Sequence, residues 1–300
     1  MRGLALEAGG ARGAYHIGAV RAFLEHGFEF DGFVGTSIGA INAAMFAQGD
    51  FEKAWELWET ISVEQVFDVD VQHMFYLSNL RNLRSDKDAL SDIVNAFAMI
   101  VKGRGVNTSK IKAFLESYID EDKVRGSGKD FGLVTVSIDE RRPYELMLDD
   151  IPEGFLVDYI MASASLPGFQ AKAIGERRFI DGALYNSCPV NLLSERGYDE
   201  IVAVRTYAPG FFRRIDCSSN VTVVAPSGNL GNILSFSRSN SESCIRLGYQ
   251  DGLSILNNGG RFCVLGHRIV PSCRAICLEN FIEGDIMIFV KGNVWFVWFF

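Results

Sequence analysis

Apolar and polar positions alternate between two kinds of run along the chain. Apolar stretches of strand length at 3–7, 30–36, 131–139, 144–149, 178–181, 201–206 and 221–225 predict β-strands. Between them, helical periodicity predicts helices over 14–26, 38–48, 50–61, 108–119, 153–165 and 238–256. In the first of these Ile17, Val20, Phe23 and Leu24 share a face, and in the third, capped by Asp50, Trp55 and Trp58 share one. The stretch 62–107 is less regular. Within it 87–102 reads as a helix and His73-Met74-Phe75-Tyr76-Leu77 as a buried or lid-like run, and 62–120 is the candidate for shaping a substrate pocket. Helix 153–165 should halt near Pro167-Gly168, and Glu140-Arg141-Arg142-Pro143 joins two strands in the manner of a hairpin. Strands alternating with helices predict a three-layer α/β/α sandwich with a mainly parallel central sheet.

Composition narrows the class. At 300 residues, with 48% apolar and 22% charged positions, the chain is globular and long enough for a sizeable core. A net charge of −8 excludes a nucleic-acid partner, which requires a basic face. It leaves a membrane surface open, where a local patch counts for more than the total. Six scattered cysteines read as reduced thiols. With no charged-then-apolar leader and no apolar run of transmembrane length, they predict a cytoplasmic protein.

The strongest chemical signal is Phe33-Val34-Gly35-Thr36-Ser37-Ile38-Gly39, which places G-x-S-x-G between a strand and an apolar helix. A serine at the apex of such a turn takes a strained backbone conformation. Its neighbours two residues away must lack bulk, and Gly35 and Gly39 do. The helix N-terminus beyond favours developing negative charge.

The loop Ala8-Gly9-Gly10-Ala11-Arg12-Gly13 also ends a strand and opens a helix. A nicotinamide site would want glycine at position 8 and an acidic residue closing the second strand, and Ala8 and Gly35-Thr36-Ser37 stand there instead. The glycines suit an oxyanion better, because successive backbone N–H groups at a helix start form an anion-binding concavity. If the two strands are parallel neighbours, loop and serine turn lie at the same sheet edge.

A serine nucleophile needs a proton acceptor. There are four histidines, at 16, 26, 73 and 267. A Ser37–Asp181–His267 triad has the right chain order, yet only a single strand precedes this serine turn, where an α/β-hydrolase has several. His16 and His26 read as ordinary surface or cap residues. Asp181, followed by Gly182 and Ala183, could accept the proton if buried, although an Asp-Gly pair taken alone reads as a turn.

Taken in order, Ala8–Gly13, Gly35–Gly39 and Asp181-Gly182-Ala183 resemble the motifs of the patatin-like phospholipases. Ala162–Gly168, Arg178–Ala183, Asn186 and Pro189-Val190 are similar too, and the resemblance covers residues 3–257. It implies a serine acyl hydrolase acting on phospholipids or related lipid esters, with a Ser–Asp dyad, an acyl-enzyme and no metal or other cofactor. By motif, Ser37 would be the nucleophile, Asp181 the general base, and the backbone of Gly9, Gly10, Ala11, Arg12 and Gly13 the oxyanion loop. Arg12 would steady that loop or meet a phosphate. Ala8 and Ala183 depart from the glycines usual there, and neither departure removes the chemistry. Acyl transfer by the same dyad, or lipid binding with weak catalysis, are the competing functions.

Beyond 258 the resemblance stops, leaving 258–300 as an atypical, apolar, cysteine-containing segment. Its last residues, Ile286–Phe300, read first as buried and second as a segment for a membrane interface. Cys263, His267, Cys273 and Cys277 miss the spacing of paired zinc knuckles, so no metal is expected there. The pattern does not read out an oligomeric state.

Overall fold

The structure is a computed structural model. It describes residues 1–62, 109–165, 171–213, 219–233 and 235–257, and beyond these the four short strands Phe262–Leu265, Arg268–Pro271, Met287–Val290 and Asn293–Phe296. The expected helix over 87–102, the run 73–77, Pro167-Gly168, His267, Cys273 and Cys277 lie outside the described residues, as does the side chain of Cys263.

β1 (Arg2–Leu6) passes through a 3-10 turn (Gly10–Gly13) into α1 (Ala14–Glu25), and β2 (Gly32–Thr36) passes through Ser37 into α2 (Ile38–Ala47). There follow α3 (Phe51–Thr60), α4 (Ser109–Tyr118), α5 (Glu121–Gly126), β3 (Asp130–Ser137), β4 (Arg142–Met147) and α6 (Leu156–Ser163). Then come β5 (Lys172–Ile174), β6 (Arg177–Asp181), α7 (Val190–Glu195), β7 (Glu200–Val204), β8 (Asn220–Val224) and the long α8 (Arg238–Asn257). β5 and α7 are too short to leave a periodic signal in the sequence.

The main sheet has eight strands in the order β5-β6-β3-β2-β1-β7-β8, with β4 also on β3. β1, β2, β3, β7 and β8 are mutually parallel, while β4 and β6 pair antiparallel with β3 and β5 pairs antiparallel with β6. Alternation along the strands sends Leu4, Leu6, Phe33, Phe131, Leu133, Val202 and Val204 to a core shared with α1, α2 and α3. Ala5, Val34, Val134, Ile201 and Ala203 face the other way, onto α7. The result is a central, mostly parallel sheet between helical layers of unequal thickness. Leu24 departs from the expected apolar face and is 38% exposed. It lies in the last turn of α1, where Phe23 and Phe28 close the core edge to face at 5.0 Å.

One register matters most for the site. β3 pairs with β4 along one edge, so β2 and β6 must share the other. β2 runs parallel to β3 and ends with Thr36 opposite Val134, whereas β6 runs antiparallel and ends with Asp181 opposite Thr135. Two strands distant in sequence thus meet end to end on adjacent rungs of β3. β1 and β2 are parallel neighbours, which also sets the glycine loop and the serine turn at the same sheet edge. Among the described residues no helix is long and apolar enough to cross a membrane.

Candidate active site

Ser37 is the single residue between β2 and α2, at φ 58° and ψ −126°. A side chain at positive φ is strained, and such strain persists only where the surroundings enforce it. Here they do. A Cβ at Gly35 would collide with the backbone of Gly39, and one at Gly39 with the carbonyl of Leu6 at the end of β1. The turn is therefore folded onto itself and wedged against the neighbouring strand. The Ser37 N–H donates to Ser163 Oγ at 2.9 Å, and the Ser37 carbonyl accepts from the Ala40 N–H at 2.9 Å.

Asp181 ends β6 and caps the 3-10 turn Gly182–Leu184, its Oδ1 accepting from the Ala183 N–H at 2.8 Å. Its Oδ2 accepts from Ser37 Oγ at 2.7 Å, across a sequence separation of 144 residues. Gly182 is required by close approach, since a Cβ there would strike the Val134 carbonyl. Ser37 is 3% exposed and Asp181 1%. Burial pushes the Asp181 carboxyl up to about 6, against the opposing pull of its bonds from Ser37 and Ala183. At neutral pH it is still mostly a carboxylate, and one that holds a proton far better than an exposed aspartate.

Neither described histidine joins this pair. His26 reaches back from the end of α1 to the Ala22 carbonyl and is exposed, as a cap residue should be. His16 is not the surface residue expected. It is fully buried, pushed down to about 3 by that burial, and therefore neutral. Its Nδ1 meets Asn42 Nδ2 at 3.2 Å, the same amide donates to the Gly13 carbonyl at 3.0 Å, and Asn42 Oδ1 accepts from Trp58 Nε1 at 2.9 Å. One asparagine thus ties α1, α2 and α3 to the end of the glycine loop.

That loop is narrower as a donor set than the sequence suggested. The Ala11 N–H already donates to the Ile233 carbonyl at 2.7 Å and the Arg12 N–H to the Gly9 carbonyl at 3.1 Å. Gly13 serves contact, with Ile38 and Trp58 where its Cβ would be. The amides of Gly9 and Gly10 have no acceptor among the described residues. Gly10 sits at φ +54° with the Ile233 carbonyl against it, a position a side chain could not take.

The Arg12 guanidinium is committed to carbonyls. Nε donates to Gly231 at 2.9 Å, and Nη1 to Tyr207 at 2.9 Å and Thr206 at 3.2 Å. It clamps the segments after β7 and before α8 around the loop. Glu7, the residue before the loop, is completely buried and accepts from Arg205 Nε at 2.7 Å and the Thr206 N–H at 2.6 Å.

The sequence reading missed Glu7, Asn42 and Ser163. A charge closing an apolar strand next to a glycine loop was a signal for Glu7. Asn42, a lone amide in an apolar helix, was a fainter one, and Ser163 lies in the Ala162–Gly168 stretch that carries the resemblance, with nothing in the sequence to give it a role. Among the described residues no three His, Cys, Asp or Glu side chains gather as a metal site would require. A hydroxyl on a weakly acidic buried carboxylate, beside a loop whose Gly9 and Gly10 amides have no acceptor among the described residues, is equipped for attack on an acyl carbon and for holding the oxyanion that forms.

Comparison with known proteins gives the family. A family model described as patatin-like phospholipase matches residues 4–194. The lysophospholipase NTE1 of Cryptococcus neoformans is 25% identical over 203 residues, which are 67% of this chain and 11% of that protein. The NTE family protein Rv2565 of Mycobacterium tuberculosis is 26% identical over 211 residues, 69% of this chain and 31% of the relative. The chain therefore spans a minor part of these relatives. Among solved structures, VipD from Legionella pneumophila superposes with a TM-score of 0.52 at 13% identity, covering 86% of this chain and 67% of that one, a likeness of fold.

Proposed function

The chain belongs to the patatin-like phospholipase family, and on that premise we propose that it is a serine acyl hydrolase of phospholipids or lysophospholipids. The observation that carries the reading is the bond from Ser37 Oγ to Asp181 Oδ2 at 2.7 Å, where burial raises the carboxyl to about 6. In this mechanism Asp181 takes the Ser37 proton as Oγ bonds to the ester carbonyl carbon. The carbonyl π electrons move to oxygen, and the amides of Gly9 and Gly10 receive that charge. Collapse expels the lipid alcohol, which takes the proton back from Asp181, and leaves an acyl group on Ser37. Water, deprotonated by Asp181, then attacks the acyl carbon, and the released Ser37 oxygen recovers the proton. A base near 6 is matched to this cycle, being ionised at neutral pH yet able to hold the proton between steps.

The test is release of fatty acid from phosphatidylcholine and lysophosphatidylcholine vesicles by the purified protein, followed by mass spectrometry. Expected are free fatty acid and an acyl adduct on Ser37, both absent from Ser37→Ala. Acyl groups appearing only on an added alcohol acceptor would assign transfer instead, and no turnover by folded protein would leave lipid binding.

A further inference from the structure

Both members of the Ser37–Asp181 pair are held through their backbones by one three-residue segment at the end of α6. The Ser37 N–H donates to the hydroxyl of Ser163 at 2.9 Å, and the Asp181 N–H donates to the carbonyl of Ser165 at 2.9 Å. The segment is itself pinned. The Ala164 N–H reaches back to the Ile160 carbonyl at 3.0 Å, and Ser165 Oγ donates to the Met161 carbonyl at 2.8 Å. Ser163 and Ser165 are buried, at 0% and 5% exposure.

The two grips differ in kind. Asp181 is held by a carbonyl that any residue at 165 would supply. Ser37 is held by a side chain, so that grip depends on the residue at 163. It also falls on the one peptide whose geometry aims the hydroxyl, because Ser37 stands at φ 58° where its backbone has no strand or helix partner for the N–H. Take away the acceptor and a buried donor is orphaned in a strained turn. The turn can relieve that only by rotating, and rotation swings Oγ off Asp181.

We propose that Ser163 is a positioning residue for the acylation step, its hydroxyl accepting the Ser37 N–H and so keeping Ser37 Oγ on the Asp181 carboxylate. The assignment rests on the dyad reading above. Ser163 touches no reacting atom; it acts through the backbone of Ser37. Its loss should therefore slow bond formation while leaving substrate affinity nearly unchanged. It should also weaken the bond that holds the Asp181 carboxyl down, so the acid limb of the pH–rate profile should move to higher pH.

The experiment measures the rate of fluorophosphonate labelling against probe concentration and pH for the parent, Ser37→Ala, Ser163→Ala, Ser163→Thr and Ser163→Val. Thr and Val crowd the site nearly equally and differ in the hydroxyl alone. Ser163→Ala and Ser163→Val should label roughly ten- to a hundredfold more slowly at saturating probe, with half-saturation within about twofold of the parent and an upward-shifted acid limb. Ser163→Thr should label at least about tenfold faster than Ser163→Val. Equal rates for Thr and Val, or parental labelling by Ser163→Ala, would overturn the assignment while leaving the dyad standing. If Ser163→Ala does not fold, the Thr and Val pair decides alone. A parent that does not label, or a Ser37→Ala variant that does, removes the dyad reading and this assignment with it.

Discussion

Replacing the base should make the protein more stable as it makes it inactive. Asp181 is 1% exposed and its carboxyl is raised from 3.8 to about 6, chiefly because burial penalises the charged form. A carboxyl that binds its proton more tightly folded than unfolded favours the fold while protonated. That contribution is fully present below the unfolded value of 3.8 and is lost as pH rises through about 6. At about 1.36 kcal/mol per pKa unit, ionised Asp181 costs the folded state roughly 3 kcal/mol at pH 8 and about half that at pH 5. Asp181→Asn removes the charge and keeps the shape. Its Oδ1 can still accept from the Ala183 N–H, and its amide can donate to Ser37 Oγ. The variant should therefore melt higher than the parent at pH 8 by roughly 4–6 °C, at about 2 °C per kcal/mol for a chain of this size. The gain should shrink to about half at pH 5. Calorimetric melting of both proteins at pH 5, 6, 7 and 8 isolates the effect, because every other titrating group is common to the two. An Asp181→Asn variant that melts lower than the parent at pH 8, or whose advantage does not change with pH, would mean that the buried Asp181 charge does not cost the folded state stability.

The same carboxyl predicts that labelling and hydrolysis by the parent fall about tenfold per pH unit below about 6, since only the carboxylate accepts a proton; a profile flat to pH 5 would contradict it. Arg12→Lys cannot reproduce bonds from one guanidinium to three carbonyls, and should cost roughly 2–3 kcal/mol of stability in urea melts and slow labelling. Asn42→Leu should cost about 2–4 kcal/mol by the same measurement, because it leaves Trp58 Nε1 and the Gly13 carbonyl without their buried partner.

How far the sequence disclosed this arrangement depends on the range over which each part is determined. Gly35 and Gly39 flank Ser37 within five residues, and the collisions that forbid side chains there are collisions within the turn and with the adjacent strand. Such local demands are legible as spacing. The alternation that sorts Leu4 and Leu6 to one face of β1 and Ala5 to the other is legible for the same reason. Asp181 is different. It reaches Ser37 because β6 enters antiparallel beyond the end of β2 on β3, and no local pattern encodes that register. Asp181-Gly182 by itself reads as a turn, and only its resemblance to a known motif singled it out. Ser163, Glu7 and Asn42 act on groups brought to them by the fold, so their residue types could not announce their partners. The Ala11 and Arg12 amides looked available along the chain, but the segment carrying Ile233 and the turn at Gly9 occupy them in space.

The dyad itself is tested most directly by intact-mass spectrometry after fluorophosphonate treatment of the parent, Ser37→Ala and Asp181→Asn at pH 7.5. A single adduct on the parent, mapped to Ser37, is expected, with none on Ser37→Ala and labelling of folded Asp181→Asn slowed by roughly two orders of magnitude or more. An adduct that persists in Ser37→Ala, or labelling of Asp181→Asn at the parental rate, would contradict it.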